Sequence, residues 1–436
     1  MSDLLAPAWA ATGAGALVDD HALLTAMLDV EAALAEAQAE LGAIPVTAAK
    51  AIRAVAASDL DPQAIAAGVR ETANPVVAFV AGLTAAVDPA AAEYVHRGST
   101  SQDILDTALM LLCASTLDRV ERDLLATAGT LAGHVRAHRD TPMAGRTLTQ
   151  HAVPVTFGLK AATWLHLVLD AVERVRRARA DLPVSLGGAA GTLAAYEEYG
   201  PGSLELPDRV AQKLGLAPQT LPWHGIRTPI ADVASALLVT TGALGKIAAD
   251  VLVLARTEIG EVTEERAPGR GASSAMPQKH NPVFATLVAT AARQLPPLAV
   301  VLFQSMTAED ERSSGGWHAE WQPLRDALRS TAGAAANGVR LAETLRVHPE
   351  AMAANLRLTR GAIVSERVTA VLAPKLGKAA AKRLLTGATA EAERTGAELA
   401  GLLDVSPGLL DPAGYTGLSG PLADRALARF EREERR

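Results

Sequence analysis

The sequence predicts an all-α protein in which two small helical domains flank a central bundle of long helices. Long proline-free stretches occupy residues 101–140, 155–182, 230–267 and 324–348. Aromatic residues make up only 3% of the 436 residues, while alanine is abundant. This composition favours closely packed helices, because alanine is the best helix former and is depleted in strands. No segment shows sustained alternation of apolar and polar residues, which strands would produce.

Prolines divide the two ends of the chain into shorter helices. They interrupt the first hundred residues several times and become frequent again from Pro349 onward. A proline inside a helix removes a hydrogen bond and clashes with the preceding turn, so each one favours a helix boundary. The predicted domains are 1–100, 101–348 and 349–436.

Two of the central stretches carry patterns typical of buried helices. Leu117, Leu124 and Leu131 repeat every seven residues, which predicts an amphipathic helix with an apolar seam. The stretch 230–267 is apolar around most of its circumference until about residue 257. Its apolar run 235–255 contains charged side chains, so we predict a buried helix and not a membrane span.

Charge and cysteine content exclude several classes of protein. The net charge of −7 argues against a nucleic-acid partner, which would require a basic surface. Cys113 is the only cysteine, so neither an intrachain disulfide nor a cysteine metal cluster is expected. The N-terminal residues lack the basic region of a signal peptide, which predicts a cytoplasmic protein without a membrane partner.

The first of three polar stretches is HRGSTSQD (96–103), at the start of a predicted helix. Helix capping alone would explain one of its hydroxyl groups. The excess of polar side chains makes an anion site at a helix N-terminus the rival interpretation, although the stretch taken alone favours capping. Its candidate substrate-binding residues are His96, Arg97, Ser99, Thr100, Ser101 and Gln102.

The second stretch, GRTLTQH (145–151), precedes Pro154 and a predicted helix. The alternative to a functional site is a polar start of the helix in which the histidine only forms structural hydrogen bonds. The candidates here are Arg146, Thr147, Gln150 and His151. Two further segments add candidates beside glycines, namely His224, Arg227 and Arg312. His318 and Glu320 are two residues apart, and two candidate ligands do not predict a metal site.

The third stretch is GASSAMPQKHNP (271–282). Its glycine and serines have little side chain to pack, and its prolines exclude a strand or the middle of a helix. The residues alone are compatible with a surface turn or with a lid that closes over an anion.

Together these stretches resemble the motifs of the fumarase/aspartase superfamily, whose signature loop reads Gly-Ser-Ser-x-Met-Pro-x-Lys-x-Asn-Pro. Only Ala272 departs from that pattern. The resemblance implies the all-α fumarase/aspartase-like fold, a lid over 269–282, and homotetramers whose active sites each combine three subunits. It also implies a base that removes a proton next to a carboxylate, forming an aci-carboxylate that expels a group from the β-carbon. The implied site residues of the loop are catalytic Ser273, Lys279 and Asn281, with Ser274 and Met276 at the substrate.

Departures from the superfamily pattern narrow the expected reaction. Leu148 stands where lyases that release a nitrogen have a histidine acid, and Asn74–Pro75 replace a His-Asp pair that helps to bind a nucleotide phosphate. Both departures are similar to the cycloisomerases of 3-carboxy-cis,cis-muconate. In that reaction the leaving carboxylate needs no acid. The implied reaction interconverts this compound with 4-carboxymuconolactone in protocatechuate (β-ketoadipate) degradation, without metal or cofactor.

Alternatives remain at this point. Arg146, Arg227, Lys279 and Arg312 are expected to bind the small tricarboxylate. His151 could supply an acid, because it lies one helical turn beyond position 148 on a similar face. A C–N lyase that releases fumarate, like adenylosuccinate lyase, is the second hypothesis. A non-catalytic scaffold comparable to a lens crystallin is the third, although such a protein has no need of the signature loop.

Overall fold

The chain is mostly helical throughout the range that the structure describes, residues 4–435. The structure is a computed structural model, and it confirms the predicted all-α fold class. Within this range it has fifteen α-helices, several short 3-10 turns and four short strands. The strands form two separate two-stranded sheets.

The first hundred residues form one helix of 21 residues and three short helices, and the short ones were predicted. They are α1 (Asp20–Glu40), α2 (Val46–Arg53), α3 (Pro62–Thr72) and α4 (Pro75–Ala86). Prolines begin α3 and α4, at a position where the missing backbone N–H is no loss. Asn74 caps α4 by accepting a hydrogen bond from the N–H of Val76 at 2.9 Å.

Long helices occupy the middle of the chain. In order, the helices here are α5 (Ser101–Ala137), α6 (Phe157–Ala180), α7 (Ala194–Tyr199), α8 (Leu206–Leu214), α9 (Thr228–Leu254), α10 (Val283–Gln304) and α11 (Gly316–Thr344). The predicted seam of α5 is confirmed, since Leu117, Leu124 and Leu131 are buried. Helix α9 ends earlier than predicted, because its apolar sequence gives way to acidic residues after Leu254. Helix α10 was not expected, because it contains Pro296 and Pro297.

Strands appear where the sequence was read only as polar entries to helices. Strands β1 (Pro142–Thr147) and β2 (Gln150–Thr156) form an antiparallel hairpin, and β3 (Val262–Glu264) pairs with β4 (Leu345–Val347). Pro154 therefore lies within a strand, and helix α6 begins only after the hairpin has ended.

The C-terminal part returns to shorter helices. They are α12 (Pro349–Leu356), α13 (Ser365–Leu376), α14 (Lys378–Thr395) and α15 (Ser419–Glu434). One cluster of buried side chains packs α12, α13 and α14 around Leu356, Val368 and Leu385. Ala144 of strand β1 belongs to the same cluster, so this small core also supports the hairpin.

The chain divides into two compact units, and each contains several separate segments. The first unit takes the chain up to Asp123 together with Ala171–Gly245 and Leu287–Asn337. The second takes Leu124–Asp170, Lys246–Thr286 and the chain from Gly338 onward. Helices α5 and α12 begin at the predicted domain borders, but the three-domain division itself remains a prediction.

Two helices are long and apolar enough to cross a membrane by composition alone. Their mean hydropathy is 1.8 for Thr228–Leu254 and 1.4 for Val283–Gln304, and 50% and 33% of their apolar windows are buried in this chain. Core helices of soluble proteins meet the same criterion. The exposed apolar remainder of α10 includes Val300 and Phe303.

Gly158, in the first turn of α6, allows a close backbone approach that any side chain would block. A methyl group at this position would lie 2.5 Å from Cα of Arg139 and 2.6 Å from the carbonyl oxygen of His138. We expect Gly158→Ala to lower the free energy of unfolding by about 1–3 kcal/mol, because the backbone would have to move. Gly133→Ala in α5 is the matched control, since a methyl group there meets nothing within 4 Å.

Chemical denaturation at a fixed protein concentration checks this prediction. The control should be neutral or stabilising by up to about 1 kcal/mol, as expected for alanine in a helix. Equal stability of the two variants would contradict the account of this contact.

Candidate active site

The carboxylate of Asp103 organises the first polar stretch. It lies in the first turn of α5, is fully buried, and accepts hydrogen bonds on both oxygens. Oδ1 accepts from the N–H of Gly187 at 2.7 Å and from Nε2 of His224 at 2.8 Å. Oδ2 accepts from the N–H groups of Thr100 and Gly188, both at 3.0 Å. One buried charge therefore fixes three separate segments, and hydrogen bonds to a charge are the strong ones.

Tyr196 adds a further donor to the same carboxylate. Its hydroxyl donates to Asp103 at 3.2 Å and lies 2.7 Å from Oγ of Ser99. Burial, reinforced by the charge of Asp103, raises the pKa of Tyr196 well above its ordinary value. Gly98 has a φ of +85°, and a methyl group there would lie 2.6 Å from the tyrosine ring. The glycine of this stretch is thus required by the position of the ring.

Arg227 is buried between two carboxylates, and its predicted role in binding substrate stays a prediction. Its side chain is almost fully buried, and its guanidinium donates to Asp106 at 2.8 Å and to Glu320 at 2.6 Å. Both carboxylates are fully buried. Burial disfavours the charged form, but Asp106 and Glu320 outweigh it and raise the pKa of Arg227. The two buried carboxylates already balance the positive charge of this guanidinium.

Gln102 and His224 are also buried, and their predicted contact with substrate stays a prediction. The Gln102 amide donates to Asp106 at 3.0 Å and to the His224 carbonyl at 3.1 Å. The His224 ring is directed at Asp103. The Gln102 carbonyl oxygen accepts from Nε of Arg312 at 3.0 Å. Both residues thus position groups that lie closer to solvent.

Arg312 keeps an uncompensated charge. Besides Gln102, its guanidinium contacts Oγ1 of Thr100 at 2.9 Å and the carbonyl oxygen of Ala189 at 3.4 Å. All three acceptors are neutral, and within residues 4–435 no carboxylate forms an ion pair with Arg312. A partly exposed guanidinium beside the hydroxyls of Ser99 and Thr100 can receive a carboxylate.

His96 and Arg97 flank this group on the preceding turn. Nδ1 of His96 lies 2.6 Å from buried Glu31. Burial lowers the pKa of His96, but the hydrogen bond and the charge of Glu31 outweigh this effect and the net shift is upward. The guanidinium of Arg97 lies over the rings of Tyr94 and Tyr199, at 5.1 and 4.6 Å from their centres. Ser101 is the first residue of α5.

The second polar stretch forms a hairpin in the second unit. Thr147 pairs with Gln150 across a two-residue tip, where Leu148 and Thr149 have φ values of 48° and 72°. Positive φ at both central residues matches the turn type that joins antiparallel strands tightly. Leu148 is 96% exposed. The prediction that His151 lies one helical turn beyond Leu148 is therefore wrong, because no helix connects them.

Arg146 forms an ion pair with a buried carboxylate, and its predicted role in binding substrate stays a prediction. It donates to Glu261 through two nitrogens at 2.7 and 2.9 Å, and Asn355 donates to the same carboxylate at 2.8 Å. His151 pairs with Arg146 in the ladder. Burial, and next the charge of Arg146, lower the pKa of His151. A neutral imidazole at neutral pH can accept a proton but is a poor acid.

The signature loop is closed at its base and exposed along its length. The backbone N–H and side-chain amide of Asn281 both donate to the carbonyl oxygen of Gly271, at 2.9 and 3.3 Å. Gly271 has a φ of +67°, and a methyl group there would lie 2.5 Å from the carbonyl oxygen of Asn281. The first glycine of the motif is thus a requirement of this closure.

Most side chains that the sequence predicts for the site in this loop are exposed. Oγ of Ser273 accepts from the N–H of Met276 at 3.1 Å and holds the turn that follows it. Ser274, Met276 and Lys279 are exposed. In the part of the chain that the structure describes, the Lys279 ammonium has no ion-pair partner.

The structure therefore brings the predicted residues together in three places. Residues 96–102 lie with Arg312 in the first unit, while the hairpin and the signature loop belong to the second. Sequence reasoning missed the carboxylates that hold these places, chiefly Asp103, Asp106 and Glu261. The sequence does contain a sign of buried carboxylates at the start of α5. Asp103 and Asp106 lie three residues apart there, beside the apolar residues Ile104 and Leu105. In residues 4–435 no group of three or more His, Cys, Asp or Glu side chains could hold a metal ion.

Arg227 and Arg312 should respond differently to the same substitution. Arg227→Gln leaves two buried carboxylates without their cation, which should lower the free energy of unfolding by about 3–5 kcal/mol. The Arg312 side chain is partly exposed and its hydrogen-bond partners are neutral. Arg312→Gln should therefore change the free energy of unfolding by less than about 1 kcal/mol. Its effect should instead be a higher KM for an anionic substrate. Denaturant titration and steady-state kinetics on both variants test this, and a stable Arg227→Gln protein would contradict it.

The comparisons with known proteins agree with this architecture. The model of the Lyase family matches residues 14–296. The chain is 55% identical to nitrosuccinate lyase of Streptomyces davaonensis, over 98% of this chain and 94% of that protein. It is 41% identical to 3-carboxy-cis,cis-muconate cycloisomerase of Pseudomonas aeruginosa, over 95% and 93%. The crystal structure of the 3-carboxy-cis,cis-muconate lactonizing enzyme from Pseudomonas putida superposes with a TM-score of 0.92 at 37% identity, covering 99% of both chains. The chain therefore belongs to the Lyase family, the enzymes of the fumarase/aspartase superfamily whose motifs its sequence resembles.

Proposed function

We propose that this enzyme is an eliminating lyase that releases nitrite from nitrosuccinate and leaves fumarate. The observation that carries this proposal is the 55% identity to nitrosuccinate lyase across nearly the whole chain. This proposal replaces cycloisomerisation as the leading hypothesis. The reaction stays in the C–N lyase class, but the leaving group is nitrite in place of an amine or nucleotide.

The reaction breaks one C–H and one C–N bond. A base takes a proton from the carbon next to one carboxylate, and the electron pair moves into that carboxylate to form an aci-carboxylate. The pair then returns to form the C=C bond, and the C–N bond electrons leave with nitrite. The products are fumarate, nitrite and a protonated base. Preorganised positive charge that stabilises the aci-carboxylate would supply much of the catalysis.

Leu148 supports a leaving group that needs no proton. Nitrite, like a carboxylate, is a weakly basic anion at neutral pH and departs without general-acid assistance. An amine leaving group would require the acid that Leu148 cannot provide. This residue therefore argues against adenylosuccinate and argininosuccinate, while it suits nitrite and the carboxylate of a lactone equally.

The supply of unpaired cations favours a dicarboxylate. Of the four basic residues expected to bind a tricarboxylate, Arg146 and Arg227 already pair with buried carboxylates. Lys279 and Arg312 remain, and two cations match the two carboxylates of nitrosuccinate. We assign Ser273 to proton removal, Lys279 and Asn281 to the aci-carboxylate, and Arg312 with Ser99, Thr100 and Ser101 to the other carboxylate.

The second candidate is the cycloisomerisation of 3-carboxy-cis,cis-muconate. It is favoured by the cycloisomerase of Pseudomonas aeruginosa and by the similarity to the lactonizing enzyme from Pseudomonas putida. That reaction uses the same aci-carboxylate, with an internal carboxylate in the place of nitrite.

We also propose that the enzyme is a cytoplasmic homotetramer whose active sites combine residues of three chains. The exposed hairpin tip at Leu148 and the exposed apolar side chains of α10 support this. Thr147, Gln150 and His151 would then meet the signature loop of one partner chain and the first motif of another.

A comparison of substrates tests the proposed reaction. The purified enzyme, without added metal or cofactor, should release nitrite and fumarate in equal amounts from nitrosuccinate. Adenylosuccinate should react at least about a thousandfold more slowly, because a site without the matching polar partner discriminates by that order. Ser273→Ala should lower kcat by at least about a hundredfold, the usual effect of losing a positioned proton-transfer group.

Ser274→Ala is the matched control and should retain more activity than Ser273→Ala. Loss of the muconate absorbance with no nitrite from nitrosuccinate would make the cycloisomerase the correct assignment. Turnover of neither compound would contradict both.

A further inference from the structure

A charged cavity lies at the base of the signature loop, within the second unit. Its volume is about 450 Å³. Side chains that can carry positive charge make up much of its wall, together with one residue of the loop closure. They are Arg266, Arg270, His280, Asn281, Arg346 and His348.

The two carboxylates of this cavity are already engaged. Glu264 accepts hydrogen bonds from the backbone N–H groups of Phe284 and Ala285, at 3.0 and 2.8 Å, and so holds the start of α10. Glu265 forms an ion pair with Arg346. Acidic side chains are thus present, but their oxygens serve the helix start and the neighbouring strand.

Within residues 4–435, two guanidinium groups of this cavity form no ion pair with a carboxylate. Arg270 donates to the carbonyl oxygen of Glu265 at 3.2 Å and lies 5.1 Å over the ring of Phe284. Among the residues that the structure describes, Arg266 has neither a hydrogen-bond nor an ion-pair partner. Two arginines beside a histidine form a local positive site on a chain whose net charge is −7. Such an arrangement attracts small anions.

The cavity touches both ends of the loop that carries the proposed catalytic residues. Arg266 and Arg270 come just before Gly271, and His280 is next to Asn281, which closes the loop by bonding to Gly271. A backbone bridge between Ala272 and His280 continues this closure. An anion held between the arginines and His280 would connect the two ends of the loop. It would therefore favour the closed base over an opened one.

We propose that this cavity binds a small doubly charged oxyanion and that its occupancy stabilises the closed base of the signature loop. Two guanidinium groups that form no ion pair match a dianion better than a monovalent ion. Inorganic phosphate and a short dicarboxylate share this chemistry. The concentration of the anion would thereby affect the mobility of the loop. By reciprocity, closure of the loop would affect the affinity for the anion.

Binding and loop protection can be measured without any substrate turnover, so the test is independent of the proposed reaction. Inorganic phosphate and succinate are titrated separately into the purified enzyme by calorimetry. In parallel, endoproteinase Lys-C cleavage of the Lys279–His280 bond is followed by mass spectrometry. The variants are the double substitution Arg266→Gln/Arg270→Gln and the control Arg293→Gln, an exposed arginine of α10 outside the cavity.

At least one of the two anions should bind and slow cleavage after Lys279 in the wild-type enzyme. The double variant should bind it at least about tenfold more weakly and lose the protection, as expected from removing two charge-assisted contacts. The control should keep both. Protection by phosphate alone identifies an inorganic ligand, and protection by succinate alone a dicarboxylate. Unchanged affinity in the double variant, binding without protection, or no binding of either anion would overturn the proposal.

Discussion

The buried carboxylate of Asp103 is the constraint on which the first polar motif depends. It accepts hydrogen bonds from the N–H of Thr100 just before α5, from the N–H groups of Gly187 and Gly188, and from the side chains of Tyr196 and His224. A buried charge without partners costs several kcal/mol, so these segments hold their positions as a set. One turn further along α5, Asp106 repeats the principle with Arg227. Glu261 does the same for Arg146 in the second unit.

These carboxylates distinguish the arginines that already have an acidic partner from the basic residues that do not. Arg146 and Arg227 look like anion receptors in the sequence, yet each already has an acidic partner in the folded chain. Arg312 and Lys279 lack such partners within residues 4–435, so their charge can act on a bound molecule. Together with Leu148, which cannot donate a proton, they are compatible with the proposed dicarboxylate substrate and its weakly basic leaving group. The proposed elimination of nitrite follows from this combination and from the similarity to nitrosuccinate lyase.

Much of the fold could be predicted because helices leave a strong pattern. The proline-free stretches and the leucine seam of α5 located the long helices. Helix α10 was missed because Pro296 and Pro297 normally exclude a helix interior, but both are exposed, where water can satisfy the carbonyl groups left unpaired. The hairpin was missed because its two-residue tip uses Leu148 and Thr149 instead of the usual asparagine and glycine. The ion pairs were missed because Arg227 and Glu320 are 93 residues apart, and only the fold brings them together.

Hydrogen–deuterium exchange on Asp103→Asn tests the role of this carboxylate most directly. The amide keeps the shape of the side chain but replaces one acceptor oxygen with a donor, so some N–H groups around it lose their acceptor. Exchange in segment 186–192 should accelerate at least about tenfold, as for a loss of about 1.4 kcal/mol in local stability. The middle of α5, residues 112–124, should exchange as in the wild type. Unchanged exchange in 186–192 would contradict the claim that Asp103 holds the first motif together.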